Sequence, residues 1–333
     1  MRYVSIHSHT TYSYGDGFAL PSAHVQRVHE LGGRALALTE HGNVSSHVKL
    51  EQACLELAKK DDQGNVVEWA VKPIFGLEAY CAPGDMRETA NQRKWHMTML
   101  AMDQQGYRNL MRLVTSSWSP DNFYRWPTVT GKTLKENHEG LICTSGCADS
   151  HLACTLLGGK GRDAPVGKRQ AARYRDEAIK VMLGYKKMLG DRYYLEVQRF
   201  PQLARTCELN PQYAEWSKEF DIPLVASSDV HYPNPNENEM QKILHAASRN
   251  TGTVASAEAG WEYDILMTYP LGDDEVLRDL MRTGLSRGSA QAAVENTARI
   301  AERCNVTLPK MDRLRYPGTR RDLLPWAPPK NQR

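Results

Sequence analysis

The chain lacks most of the features that would place it quickly in a membrane, secreted or polyelectrolyte class. It has no run of eighteen apolar residues, which excludes an ordinary membrane-spanning helix. Its first residues carry none of the basic, apolar and small-residue zones of a secretory signal, and its seven cysteines are scattered without framework spacing. A reducing, cytoplasmic setting is therefore expected. The net charge is only +3, from 42 Lys+Arg against 39 Asp+Glu, too small to argue for nucleic acid by itself. No internal repeat or low-complexity tract occurs. What is present is 333 residues with 41% hydrophobic and 24% charged side chains, enough for a sizeable buried core in a globular protein.

The charge is unevenly spread. From Asn305 onward the chain carries Lys310, Arg313, Arg315, Arg320, Arg321, Lys330 and Arg333 against Asp312 and Asp322, with prolines interspersed. Residues 309–333 thus read as a basic, Pro-rich tail, either solvated or in contact with a phosphate backbone or partner. Seven apolar runs of strand length precede it: Tyr3–Ser8, Arg34–Leu38, Lys72–Tyr80, Trp95–Met102, Gly140–Cys143, Tyr193–Val197 and Pro223–Ser227. Helical patterns lie between them. Ser22–Leu31 places Val25, Val28 and Leu31 on one face and ends at Gly32-Gly33, and another helix is predicted to start at Asn210-Pro211, as N-cap and first helical residue. Strands alternating with helices predict a parallel sheet with helical crossovers, and seven units over about 230 residues predict a closed α/β barrel spanning 1–240. An extension over 241–308 is expected to be helical, with helices at Asp273–Thr283 and Gln291–Cys304.

The chemistry begins in "YVSIHSHTTYSYGDG", residues 3–17. On a regular strand His7 and His9 share a face, with Val4, Ile6 and Ser8 on the other, and Asp16 follows. "PLVASSDVHY" repeats the spacing with Asp229 and His231. Between them, nearly every predicted strand brings a metal-capable side chain: His41, Glu78, His96 and Cys147. At the C-terminal mouth of a β/α barrel such positions converge. Nine donors are too many for one tetrahedral ion and imply several, expected to be three.

The pieces "HSHTTYSYGDG", "ALALTEHGN", "KPIFGLEAY", "HMTMLAMDQQGYRNLMRLV", "EGLICTSGCADS", "YYLEVQRF" and "VASSDVHY", continued by "AVENTARIAERCNVTLPKM", resemble the PHP family, named from polymerase and histidinol phosphatase. The nearer resemblance is to its polymerase branch, the N-terminal PHP domain of the alpha subunit of bacterial DNA polymerase III. The resemblance implies a distorted seven-fold TIM-like barrel with a trinuclear metal site. By it, His7, His9, Glu78 and Asp229 would hold a first ion; Glu78, His96 and Cys147 a second; Asp16, His41 and His231 a third. One departure is Glu40 before His41-Gly42, where the family usually has aspartate, which bears on how the neighbouring ligands are oriented.

The same resemblance implies a metal-dependent phosphoesterase, a 3′–5′ exonuclease acting on DNA 3′ ends, with His7, His9, Glu78, Asp229 and His231 catalytic. Replication polymerase machinery would be its partner. The mixed imidazole, carboxylate and thiolate donors suit zinc, with manganese at oxygen-rich positions, and Cys147 argues against an all-magnesium site. Two other readings remain open: a phosphatase of a small phosphomonoester, and a non-catalytic, metal-stabilised module docked on a polymerase. The chain is expected to be either a free-standing protein or an excised fragment, and the closing "RRDLLPWAPPKNQR", which does not resemble polymerase sequence, favours the former.

Other features are discounted. "GRDAPVGK" has five residues between its glycines where a phosphate loop has four, and Arg169 follows its lysine, so it reads as a basic loop. His24, His29, His47, His138, His151 and His245 lack partners at ligand spacing and read as structural or surface residues, and Cys143 as core. Trp118, Tyr124 and Trp126 read as packing under a loop, with base stacking as the alternative.

Overall fold

Six of the seven apolar runs form strands, and the seventh, at the N-terminus, closes the sheet on itself. The computed structural model describes residues 1–82, 84, 94–158, 168–248, 253–258 and 265–309. Its strands are β1 Ala35–Leu38, β2 Lys59–Lys60, β3 Val66–Glu68, β4 Lys72–Ala82, β5 Trp95–Ala101, β6 Phe123–Tyr124, β7 Trp126–Thr130, β8 Leu141–Thr144, β9 Tyr193–Gln198 and β10 Leu224–Ser227. Its α-helices among the described residues are α1 Pro21–Glu30, α2 His47–Leu57, α3 Gln104–Ser117, α4 Gly131–Glu136, α5 His151–Leu156, α6 Lys168–Leu189, α7 Ala204–Phe220, α8 Asn238–Ser248, α9 Val254–Glu258, α10 Asp273–Arg282 and α11 Arg287–Arg303. The basic loop at 161–167 and the tail from 310 lie outside the described residues.

Strand pairing runs β1-β4-β5-β8-β9-β10. The segment 3–9 joins both ends: Ser5 bridges Leu36 beside β1, and Ser8 bridges Val230 after β10. His9 N–H donates to Val230 O at 2.7 Å, Val230 N–H to His7 O at 3.1 Å, and Ala37 N–H to Ser5 O at 2.9 Å. The result is a seven-membered barrel of mixed direction with helices outside, a distorted (β/α) TIM-like architecture.

Two local features distort it, and each corrects an expectation. The sheet is not wholly parallel: β5 runs antiparallel to both β4 and β8, with Tyr80 opposite His96, Glu78 opposite Thr98 and Leu100 opposite Ile142. Second, Thr39 N–H donates to Ser8 O (2.9 Å) while Ala37 N–H donates to Ser5 O, so the N-terminal segment advances three residues as β1 advances two. That extra residue is a bulge, and it re-phases the alternation. Val4 and Ile6 were expected to face away from the histidines; instead they pack in the barrel interior with Ala35, Ala37, Ile74, Leu100, Ile142 and Val225. Past the bulge, His7 and His9 turn inward above them.

The interior floor is completed from the far end of the chain. Ile300, Ala301 and Cys304 of α11 and its end join the same apolar cluster, and α11 is pinned by Val4 N–H to Thr297 Oγ1 (2.9 Å) and Asn296 Nδ2 to Leu224 O (2.7 Å). The expected extension thus contributes to the barrel core. A larger outer cluster lies between the sheet and its helices, including Leu77, Met97, Met99, Trp216 and Leu280.

Helix α1 ends as its glycine pair predicts, with Gly32 at φ +73° and Gly33 N–H donating back to Val28 O. Helix α7 does not start at Asn210. It begins at Ala204 and carries Pro211 in its interior. The Asn210 amide does not cap a helix; it donates to Gln198 O (2.9 Å) and Thr283 Oγ1 (2.8 Å), a tertiary contact that propensity cannot foresee.

Candidate metal centre

All nine donor residues singled out in the sequence meet at one mouth of the barrel. His7 and His9 come from the bulged segment, Asp16 from the turn after it, and His41 follows β1. Glu78 lies within β4, Cys147 follows β8, and Asp229 and His231 follow β10. His96 is the second residue of β5. In a parallel strand that position would sit at the opposite end of the barrel; the reversed direction of β5 is what delivers it to the mouth.

Glu78 is central and almost fully buried. Its Oε1 lies 3.3 Å from His7 Nε2 and 3.0 Å from His96 Nδ1, and its Oε2 lies 3.3 Å from His9 Nε2 and 2.8 Å from His41 Nδ1. Asp229 Oδ1 lies 3.4 Å from His7 Nε2, and 3.6 Å from both His9 Nε2 and His231 Nδ1. Asp16 Oδ2 stands 3.0 Å from His41 Nε2 and 3.3 Å from His231 Nε2. Cys147 Sγ is 3.6 Å from His96 Nδ1. Asp229 adopts φ +43°, a left-handed conformation unusual for a residue with a side chain, at a strain cost on the order of 1 kcal/mol.

A second layer fixes these rings, and sequence reasoning missed most of it. Glu196, buried on β9, accepts from His7 Nδ1 at 2.8 Å, and Thr144 and Ser227 hydroxyls donate to it at 2.5 and 2.6 Å. Its signal was available: a carboxylate inside a fully buried strand must have partners. Glu40, the departure from the family pattern, accepts from the Ser13 hydroxyl at 2.5 Å, and Ser13 Oγ lies 2.9 Å from His9 Nδ1. The carboxylate therefore orients His9 through Ser13, whose Oγ also accepts from the His41 backbone N–H at 3.1 Å. Gln198 donates to Asp229 Oδ2 at 3.0 Å, and His231 Nδ1 bonds the Asp229 carbonyl at 2.8 Å. His245, read as structural or surface, is buried with Nε2 at 2.5 Å from Asp16 Oδ1. It is structural and not a surface residue, and the proximity depends on the docking of α8. His24 and His47 are buried away from the mouth, bonded to Tyr269 and Phe18 and to Gly76 O respectively, as structural residues.

The electrostatics favour cations at this mouth. Burial alone would raise the Glu78 carboxyl, but His96, His7 and His41 outweigh it and hold it well below the ordinary carboxylate range. Asp229 is lowered in the same way, burial being overcome by His7, His9 and His231. Burial, with His41 and His231 beside it, depresses His9. Burial pushes the Cys147 thiol well up, and Glu78 and Asp229 push it further, so a thiolate there requires a neighbouring positive ion.

The fit to metal can be tested on the polar atoms themselves. Among the described residues, His7 Nε2, His9 Nε2, His41 Nδ1 and both Glu78 oxygens are buried without a hydrogen-bond partner. They stand 2.8–3.3 Å apart without hydrogen-bond geometry, an arrangement that suits donors aimed at a shared cation better than groups sharing protons. Three sets, His7-His9-Asp229, His41-Glu78-His96 and His9-His41-His231, have donor atoms within 4.8 Å of one another and could each hold an ion. The residues fit a cation cluster.

The PHP domain model matches residues 5–200, which is more than half of the chain. The chain belongs to the PHP domain family. Over 93% of its length the chain is 30% identical to a DNA polymerase III subunit alpha of Treponema pallidum, and over 95% it is 26% identical to that of Helicobacter pylori. It spans 24% of each of those relatives. Among solved structures, Endonuclease Q in complex with a duplex carrying an abasic lesion overlays with a TM-score of 0.36 at 14% identity, over 70% of this PHP domain and 49% of that chain. No helix among the described residues is long and apolar enough to cross a membrane.

Proposed function

We propose that this PHP domain is a metal-dependent phosphoesterase that removes nucleotides from DNA 3′ ends in the 3′–5′ direction. Three divalent ions, zinc with or without manganese, would be held as follows: His7, His9, Glu78 and Asp229 for one, Glu78, His96 and Cys147 for the next, Asp16, His41 and His231 for the last. The observation that carries the reading is the convergence of unpartnered, buried nitrogen and carboxylate atoms on one point of the mouth. Clustered divalent cations supply Lewis acidity, lowering the pKa of water and neutralising charge on a phosphoryl group. The protein's own share is orientation. Glu196 fixes the His7 tautomer so that Nε2 faces inward, the Glu40–Ser13 pair does the same for His9, and the Asp229 carbonyl does so for His231.

A single-stranded polynucleotide suits the rim better than a small phosphomonoester does. Trp118, Phe123, Tyr124 and Trp126 are all at least 38% exposed, contrary to the expectation that such aromatics pack beneath a loop. Trp118 and Phe123 stack at 5.2 Å, and Arg125 lies over Tyr124. Trp126 leads inward through Tyr80 (6.4 Å) to His96 (5.3 Å) and His41 (5.8 Å). Aromatic faces of this kind take unpaired bases. The relatives are polymerase subunits, and a replication polymerase is the partner class we assign.

Elemental analysis together with a nuclease assay on 3′-labelled primer, run on wild type and Asp229→Asn, tests the reading. The wild type should carry divalent ions and shorten the primer, and a chelator should stop it until zinc or manganese is restored. Turnover of a generic phosphomonoester without primer shortening would overturn the nucleic-acid assignment, and chelator-insensitive cleavage would overturn the metal mechanism.

A further inference from the structure

Asp16 stands on a turn, not on a strand. Its turn is closed by Asp16 N–H and Gly17 N–H donating to Ser13 O at 3.1 and 3.0 Å, and its side chain remains 22% exposed. Its two carboxylate oxygens face different groups. Oδ2 faces the mouth, toward His41 and His231, whereas Oδ1 faces away, toward His245 Nε2. His245 sits on α8, four residues after Gln241, and these two residues form the buried face of that helix. One turn further on, Ser248 Oγ donates to Gly15 O at 3.0 Å, so α8 grips the turn at a second point.

We propose that His245 is the positioning residue for Asp16, and that through it the docking of helix 238–248 sets the affinity of the cation held by Asp16, His41 and His231. The inference rests on the metal reading above. With His245 in place, the Asp16 carboxylate is held with one oxygen committed outward and the other left to the mouth. Without it, the part-exposed carboxylate is free to rotate to water and this donor set loses its anionic member. Coupling runs in both directions: a cation drawing on Asp16 Oδ2 steadies the turn that α8 grips, so loading should order α8 and the turn together.

The test uses zinc and manganese as probes on the full chain, with no nuclease assay. Competition against a chromogenic chelator gives stoichiometry and affinity for wild type, His245→Ala and His245→Gln. His245→Ala should weaken one bound ion about 10- to 100-fold, the usual effect of removing a group that orients a ligand, and leave the others unchanged. His245→Gln, whose amide N–H can reach Asp16 Oδ1, should recover most of that loss. Hydrogen exchange should show residues 11–17 and 238–248 slowing together on cation addition in wild type but not in His245→Ala. Wild-type stoichiometry and affinity in His245→Ala would overturn the proposal, as would a defect that His245→Gln shares in full. A wild type that binds ions with this dependence yet never shortens a primer would leave the His245 inference standing and remove the exonuclease.

Discussion

The floor and the mouth of the barrel are built by the same strands, only a few residues apart, and are chemical opposites. On β4, Ile74 lies in the floor and Glu78 in the mouth; on β5, Leu100 and His96; on β10 and the residues after it, Val225 and Asp229. The floor is apolar, buried and capped by Ile300 and Ala301 of α11. The mouth buries carboxylates and imidazoles with unpartnered atoms and a left-handed aspartate. A fold can carry such a costly rim only because the layer beneath it is conventional. Stability therefore resides low in the barrel and reactivity high, with one register of side chains separating them.

Substitutions can separate these two layers. The largest effect should come from Asp229→Asn, which removes a charge from the mouth without changing its volume. Asparagine accepts a positive φ at least as readily as aspartate, so the fold should persist. Hydrolysis of 3′-labelled primer should fall by about 10³-fold or more, equivalent to ~4 kcal/mol of barrier, with an unchanged circular dichroism spectrum. In the floor, Leu100→Ala should do the reverse, costing about 2–5 kcal/mol in urea unfolding while cation stoichiometry stays at the wild-type value. A Leu100→Ala protein that loses its ions would show that the layers are not separable.

Acid probes a third place, the walls outside both layers. Burial lowers His24 and His47 from 6.5 to about 4, against the opposing hydrogen bonds that their ring N–H groups donate to the Phe18 and Gly76 carbonyls, so both are neutral in the fold. The unfolded chain takes up these protons near pH 6.5. Their contribution is therefore complete above pH 6.5 and is lost progressively as the pH falls toward 4, by on the order of 3 kcal/mol for each. Urea unfolding across that window should show the decline even in metal-free protein, and a flat profile would contradict it. The smallest effect belongs to the rim: Trp126→Ala should weaken single-stranded DNA binding by about 1–2 kcal/mol and leave cation binding untouched, read by fluorescence anisotropy.

How much of this was legible in the sequence follows from where each residue's constraint lies. The six apolar runs that became barrel strands were visible because apolar runs bounded by turns are local signals, and their ends were right to within a residue or two; the short strands β2, β3 and β6, and β7 beside β4, were not expected. The direction of β5 was not visible, since "WHMTMLA" reads the same whichever way it pairs. Nor was the bulge, which appears only when the hydrogen bonds of Ser5 and Ser8 are counted against β1. The nine donors could be named from spacing and resemblance, but the residues that aim them were mostly missed. Glu196, Ser13 and His245 act through contacts 31 to 229 positions away in sequence or through a side chain with no ligand spacing of its own. Asn210 misled for the same reason: its preference for a helix cap is local, and its actual partners, Gln198 and Thr283, are not.

The single inserted residue between Ser5 and Ser8 lets two consecutive side chains, Ile6 for the floor and His7 for the mouth, both face inward. Shortening the segment by one would make it an ordinary strand at the cost of one of them: without His7 a donor is gone, without Ile6 an anchor of the floor. An evolving chain could thus tolerate many substitutions along this stretch while remaining intolerant of the smallest change in its length.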